Sequence, residues 1–446
     1  MTDYRLHKKD VEDILPLTNN QKNILNLHLL YKDSTLFNET NVYNIQGEIS
    51  LDCVEKAWNW LAEACSVFRV VFRWQRLREP IQIVLKSKKL ECHMMAPDED
   101  VDILCRRLLA QPFDLQVNAL RVYLGYDHSG CASMVISNHH ILYDGWGNAR
   151  MLVLLQHACR YYAGLQNNLP YVYPYSLGVR EMARAGQAKA NDEFWNMYFS
   201  GWKRVVQENP VEPCYKKSKV VTFTQELLEC IDKCVATTRV SSTVIYYFAW
   251  LVRDVVESGD TYCYFATTFS GRDASTIGAR VGIQFSINTL PFFLKFNRSD
   301  TVMEVMESIQ RILLQLQERQ RDDMMSICKQ LDYTLPEHYP SVFVVQNYPI
   351  DDALRQSGPY GISIKKRYYK TISDLNASIQ CFEQTSIDIE YNEYRYSSEK
   401  IDSYLHRFQM TLQLCNLFLN KSMDTFLEHL SSSHIGSDEE IGEFVL

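Results

Sequence analysis

The sequence predicts a mixed α/β protein built as two lobes, and three observations predict it. Segments with the two-residue period of strands and segments with the 3.6-residue period of helices are interleaved in both halves of the chain. The loop Asn167–Tyr175, with prolines at 170 and 174, separates the halves. The chain has 446 residues, 46% hydrophobic and 22% charged, with only 17 Gly and 13 Pro. It can therefore bury more than one core and is not a disordered chain. At roughly 150 residues per domain, length alone suggests two or three domains. The reading adopted is an N-terminal lobe over 1–172 and a C-terminal lobe over 173–446.

Thr18-Asn19-Asn20-Gln21 is a capping box that opens a helix carrying Ile24, Leu25, Leu27 and Leu29. Alternation over Asn41–Ile49 predicts a strand. Ser50 then caps a helix with Val54, Ala57, Trp58, Leu61 and Cys65 at helical spacing. Arg69–Trp74 and Gln82–Leu85 read as strands and Val101–Leu109 as a short helix. Arg121–Tyr126 and Ala132–Ser137 read as strands around the turn Asp127-His128-Ser129-Gly130. A helix from about Asn148 to Tyr162 follows. In the second half, Ser299 is the expected cap of a helix bearing Val302, Val305, Met306, Ile309, Leu313 and Leu316. Ser341–Gln346 reads as a buried strand, Ile387–Tyr391 as a half-exposed one, and Glu399–Leu419 as the last helix.

Several classes of function are disfavoured. The balance of 46 basic and 54 acidic residues gives −8 with no basic cluster, so nucleic acid is not the expected partner. The start MTDYRLHKKD lacks the apolar stretch of a secretory signal. The longest apolar run, Val244 to Val252, is about half a membrane span and reads as a buried helix. The 13 cysteines are odd in number and scattered, with no CxxC. Cys230 and Cys234 have no Cys or His near them in sequence to complete a zinc site. Reduced thiols in a cytoplasmic protein are expected.

The most informative segment is Ser137-Asn138-His139-His140-Ile141-Leu142-Tyr143-Asp144-Gly145-Trp146-Gly147. An apolar strand runs straight into two adjacent histidines. If both are extended, one side chain faces a cleft and the other packs inward. Gly145 permits backbone to approach a ligand closely. On its own, an adjacent histidine pair is most often structural and Asp-Gly a mere turn. No third ligand stands at a spacing that suits a metal. No GxSxG elbow is present, and no cysteine stands in an electropositive setting.

HHxxxDG, filled by His139, His140, Asp144 and Gly145, resembles the signature of nonribosomal peptide synthetase condensation domains, relatives of chloramphenicol acetyltransferase. The similarity extends along the chain in order. Leu15-Pro16-Leu17-Thr18-Asn19-Asn20-Gln21 resembles the family's first motif. Phe68-Arg69-Val70-Val71-Phe72 resembles the tail of the second, with Ala64-Cys65 where Arg-His is usual. Phe194-Trp195 resembles the aromatic pair opening the second lobe. Ser270-Gly271-Arg272 and Val281-Gly282-Ile283-Gln284-Phe285-Ser286-Ile287-Asn288-Thr289-Leu290-Pro291 resemble SGR…VGxFxNTLP. Val345-Gln346-Asn347-Tyr348-Pro349 matches a late QNYP strand. Departures are Leu177 in place of an aspartate, Arg319-Gln320 in place of a His-Gln element, and Gln284 before Phe285. These bear on lobe packing, substrate and partner choice.

The resemblance implies two chloramphenicol-acetyltransferase-like lobes arranged as a V with a central tunnel. It implies an acyltransferase with no cofactor and no metal of its own, whose substrates ride on the 4′-phosphopantetheine of donor and acceptor carrier proteins. The acceptor amine attacks the donor thioester, and an amide forms. Orientation can supply roughly 7–11 kcal/mol and a placed acid–base group about two to four powers of ten. His140 is the expected catalytic group, as base or as positioning group. His139 is expected to hold the loop, Asp144 to pair with Arg272 across the lobes, and Gly145 to offer its N–H to the pantetheine or the carbonyl oxygen. Trp146 is expected at the tunnel wall or in the core, with Asn288 and Ser270 lining the site.

Rival readings stand beside this one. Epimerisation domains need an EGHGRE-type segment that is missing here, and heterocyclisation domains carry aspartates where the two histidines stand. A freestanding carrier-dependent acyltransferase, which passes its acyl group to a soluble amine or alcohol, is the main alternative. A non-catalytic recruitment domain is the lesser one. HHILYDGW is closer to the group handling L-configured or acyl donors. An adenylation domain is a further partner the resemblance allows; a membrane is not expected, and a monomer is. With Met1 at the start and no adenylation or carrier segment within it, the chain fits both a standalone protein and a piece of a synthetase.

Overall fold

The computed structural model describes residues 6–31, 35–47, 49–88, 90, 92–96, 99–126, 130–185, 192–200, 216–272, 277–331, 341–346, 361–370, 373–381 and 384–432. Asp127-His128-Ser129 of the expected turn, Asn347-Tyr348-Pro349 of the QNYP segment and the stretch 433–446 lie outside them.

The N-terminal half runs β1 (Val11–Pro16), α1 (Asn19–Leu30), β2 (Asn38–Ile45), α2 (Leu51–Ala64), β3 (Val70–Arg73), β4 (Ile81–Leu85), β5 (Cys92–Met94), α3 (Val101–Leu109), β6 (Leu120–Tyr126), β7 (Ala132–His139), α4 (Gly145–Tyr162) and α5 (Tyr175–Ala185). The rest runs α6 (Asp192–Tyr198), β8 (Lys217–Thr222), α7 (Gln225–Thr238), α8 (Ser242–Ser258), β9 (Tyr262–Phe269), α9 (Ile277–Val281), β10 (Asn288–Lys295), α10 (Val302–Glu318), α11 (Met324–Leu331), β11 (Val342–Gln346), β12 (Ile362–Tyr369), β13 (Leu375–Cys381), β14 (Thr385–Tyr391), α12 (Ser398–Leu414) and α13 (Met423–Ser432).

Strands and helices alternate in both halves, so the fold is mixed α/β. One sheet has the order β12-β2-β7-β6-β5, a second β10-β9-β11-β13-β14-β8, and a small third β1-β4-β3. In the first sheet β7 is central and its residues 133–139 are all buried, the apolar Met134–Ile136 followed by the polar Ser137, Asn138 and His139. A strand from late in the chain, β12, pairs antiparallel with β2 and so extends the sheet that carries the two histidines.

Two large cores form. One gathers Tyr43, Trp58, Phe72, Tyr143 and Leu155 and also takes Ile283, Phe285 and Ile362 from later in the sequence. The other centres on α8, whose apolar run packs Phe248 and Trp250 with Phe265, Phe343 and Phe408. Trp250 stacks on Phe343 at 5.1 Å, and the Arg253 guanidinium lies 4.1 Å over the Trp250 ring. Among the described residues no helix is long and apolar enough to cross a membrane.

Several boundaries differ from expectation. The strand expected from Asn41 begins at Asn38, because Asn38 pairs with His139, and it ends at Ile45 before Gly47 turns at φ 80°. The cap of α10 is Thr301, not Ser299, in a capping box with Glu304. The last helix stops at Leu414, gives way to a 3-10 turn over Cys415–Phe418, and a further helix, α13, follows. Of the strand around Phe343, only that residue and Ser341 just ahead of it are fully buried.

Candidate active site

The two histidines part company at the end of β7. His139, the last strand residue, is fully buried. Its Nδ1 accepts the Ile141 N–H at 3.2 Å, so the ring proton sits on Nε2, which faces His28 Nδ1 of α1 at 3.3 Å. Burial, with His28 and His140 beside it, holds His139 well below the ordinary histidine range. Burial lowers His28 as well.

His140 lies just past the strand, its side chain 20% exposed. Its backbone N–H donates to the Phe37 carbonyl at 2.8 Å. Its Nδ1 stands 3.0 Å from the Tyr143 carbonyl, which can only accept, so the neutral ring carries its proton on Nδ1. Among the described residues Nε2 makes no hydrogen bond. The ring meets Phe285 edge to face at 5.3 Å, which brings a segment from the second half against the site. This free imidazole nitrogen is what the arrangement offers to chemistry: it can take a proton from an approaching amine or alcohol.

Asp144 caps α4 by accepting the Gly147 N–H at 2.9 Å. Arg272 grips both its oxygens at 2.8 Å, and Ser286 and Ile287 donate backbone N–H groups to Oδ2 at 2.9 and 3.2 Å. Burial pushes this carboxyl up. The Arg272 charge and the surrounding hydrogen bonds reverse that and hold it below the usual carboxylate range. Arg272 also donates to the carbonyls of Ser270 and Gln284, and it lies 5.3 Å from the Trp146 ring. The fork thus joins the HHILYDG loop to the SGR turn and the VGIQFSI segment.

The other expected site residues take clear places. Gly145 is exposed at the first position of α4, where its N–H has no helical partner. Trp146 is half-buried and donates to the Arg280 carbonyl at 3.2 Å. Ser270 Oγ accepts the Arg272 N–H at 3.2 Å. Asn288 is buried and donates to the Asp322 carbonyl at 3.1 Å.

Residues outside the expected set support them. Gln21 donates to the Ile141 carbonyl at 3.3 Å, and Asn20 donates to the Ser286 carbonyl. Gln320 accepts the Gly271 N–H at 2.9 Å, so the departure at Arg319-Gln320 braces the SGR turn. Arg319 lies 3.6 Å over the Phe194 ring, and Trp195 donates to Asp322 at 2.8 Å. Gln284 is buried against Met182 of α5, whereas Leu177 is exposed. Glu39, which stands beside His140, was not marked by the motifs, and Gln320 was marked only as a departure. Starting β2 at Asn38 would have put Glu39 on the face of Asn41 and Tyr43.

Among the described residues no group of His, Cys, Asp and Glu is placed to hold a metal ion. The cysteines among them are free thiols. Cys415 brings its Sγ to 3.7 Å from that of Cys234, a neighbour that sequence distance hid.

A family model described as "Condensation domain" matches residues 11–424. Among curated proteins, surfactin synthase subunit 3 of Bacillus subtilis (strain 168) is 23% identical over 86% of this chain and 32% of its own length. Tyrocidine synthase 2 of Brevibacillus parabrevis is 22% identical over 93% of this chain and 12% of its own. The chain therefore spans about a third or less of these relatives. The solved condensation domain of the monacolin K polyketide synthase superposes with TM-score 0.76 at 15% identity, covering 93% of this chain and all of that one. A four-domain nonribosomal peptide synthetase bound to AMP and glycine superposes with TM-score 0.77 at 13% identity, over 94% of this chain and 34% of that one. At such identities the superpositions speak to fold alone.

Proposed function

The chain belongs to the condensation-domain family, and from that premise we propose that it forms an amide bond between two carrier-bound substrates. The amine of an acceptor aminoacyl thioester attacks the carbonyl carbon of a donor acyl or peptidyl thioester. The C–N bond forms, the C–S bond breaks, and the nitrogen's proton passes to His140 Nε2 and on to the departing thiolate. One observation carries this reading: the Nδ1–H donated to Tyr143 leaves Nε2 as a free acceptor on a partly exposed ring.

The remaining roles belong to the same proposal. Gly145 offers an unused helix N-terminal N–H to the carbonyl oxygen or to pantetheine. His139, Asp144 and Arg272 hold the loop and act outside the proton path. Trp146, Ser270 and Asn288 line the approach between lobes divided near residues 172 and 173, in a V with a central tunnel. The protein uses no cofactor of its own, takes its substrates on 4′-phosphopantetheine, and works in the cytoplasm with donor and acceptor carrier proteins. Both the helix-N-terminal N–H and the pre-placed ring act through orientation and stabilisation of the zwitterionic tetrahedral state.

The test is intact-protein mass spectrometry on one carrier loaded with an acyl or aminoacyl thioester and another loaded with an aminoacyl thioester. Mass moving from donor to acceptor supports carrier-to-carrier condensation. Unloading only on addition of a free amine or alcohol assigns the freestanding acyltransferase activity instead.

A further inference from the structure

On β2, Glu39 brings Oε1 to 3.5 Å from His140 Nδ1. Among the described residues its carboxylate makes no other ion pair or hydrogen bond. Its side chain is 28% exposed, so its field on the ring is only partly screened by water. The register of β2 on β7 sets Glu39 directly opposite Asn138. Asn138 is fully buried, and neither end of its carboxamide has a hydrogen bond among the described residues.

We propose that Glu39 is a positioning residue for His140. It keeps the Nδ1–H side of the ring turned away from the reacting atoms and stabilises the imidazolium formed when Nε2 takes the amine proton. This rests on the condensation reading above. A carboxylate beside the nitrogen that does not react does two things: it fixes the ring's orientation and lowers the energy of its charged form. Tyr143 supplies only a neutral acceptor at the same Nδ1, so the charge has to come from Glu39.

Few other charged or titratable groups face this ring. His139 and Tyr143 are neutral neighbours on its own loop, and His28 of α1 lies behind His139. Asp144 and Arg272 neutralise each other. The second half contributes the apolar Phe285. On β12, Tyr369 pairs with Glu39 in register but gives its hydroxyl to Glu390, and Arg367 pairs with Asn41, diagonal to Glu39.

The test is independent of substrate. Histidine is labelled with 13C at Cε1 and with 15N, and the His140 signal is identified by its loss in His140→Ala. Its titration midpoint is then compared between the unaltered chain and Glu39→Gln. The proposal expects the midpoint to fall, since an adjacent opposite charge is removed. An unchanged or raised midpoint in folded Glu39→Gln overturns it. Should that variant not fold, Glu39→Asp carries the test, with a smaller fall expected and no fall contradicting the pair. In the two-carrier assay Glu39→Gln should lower kcat about tenfold with KM unchanged, and Glu39→Asp should recover part of it. If the carriers exchange nothing in any variant, the condensation reading fails while the titration still decides the Glu39–His140 pair.

Discussion

Asp144 and Arg272 stand 128 residues apart and meet in a two-pronged ion pair sealed from solvent, with N–O distances of 2.8 Å on both prongs. Side-chain exposure is 0% for the aspartate and 2% for the arginine. Such a pair fixes geometry more than it adds net stability, because both charges lose their hydration. Here it ties the start of α4, directly after the histidine loop, to the SGR turn. The site is therefore assembled only when both halves are in place.

Removing one partner leaves the other buried and uncompensated. Arg272→Ala and Asp144→Ala are each expected to destabilise the protein by about 3–5 kcal/mol, read in urea unfolding, and to lower soluble yield. A stable, soluble but inactive Asp144→Ala protein would place that carboxylate in the chemistry instead.

The same carboxyl has a pH signature. Its folded value lies below the unfolded one, so its contribution is complete above about pH 3.9 and is lost as pH falls through the folded value. Asp144→Asn, if folded, should show a flatter loss of stability from pH 4.5 downward than the unaltered chain, measured by urea midpoints across about pH 5 to 3.

His139 has its own window. Its folded value is well below that of a free histidine, so the unfolded chain gains a proton first as pH falls. Its contribution is present above about pH 6.5 and is progressively lost as pH falls below it. Urea unfolding at pH 7.5 and 5.5 should show that loss. His139→Asn should lack it.

Gly271 sits at φ +67°, and a Cβ there would come 1.9 Å from the Ser286 carbonyl oxygen. Gly271→Ala should therefore displace the SGR turn and cost roughly 1–3 kcal/mol. The same urea unfolding would detect it. Gln320→Leu, which strips the acceptor from the Gly271 N–H, should cost about 1–3 kcal/mol by leaving a buried donor unmet.

Much of this was legible in the sequence, and for physical reasons. The capping box at Thr18 and Gln21 and the apolar spacing of α2, α3 and α8 are local signals, and these helices form as read. The motif residues Asp144 and Arg272 meet as expected, Asp144 held in place as the cap of α4. What stayed hidden depends on tertiary pairing. Strand β12 extends the histidine sheet through register with β2, which no local pattern of Ile362–Tyr369 announces. Gln320 reads as an ordinary polar residue until Gly271 turns its N–H toward it. Glu39 is one more acidic residue among 54 until β2 lies against β7. The split of the expected last helix at Cys415–Phe418 follows from packing against α7, where Cys415 meets Cys234.

The central claim is that His140 Nε2 receives the proton of the attacking amine. Its most direct test is the two-carrier mass-spectrometric assay run with the unaltered chain and with His140→Ala, each checked for fold by circular dichroism and urea unfolding. The account predicts that a folded His140→Ala protein loses at least about a hundredfold in the rate of mass transfer from donor to acceptor carrier. Transfer at the unaltered rate by folded His140→Ala would contradict it.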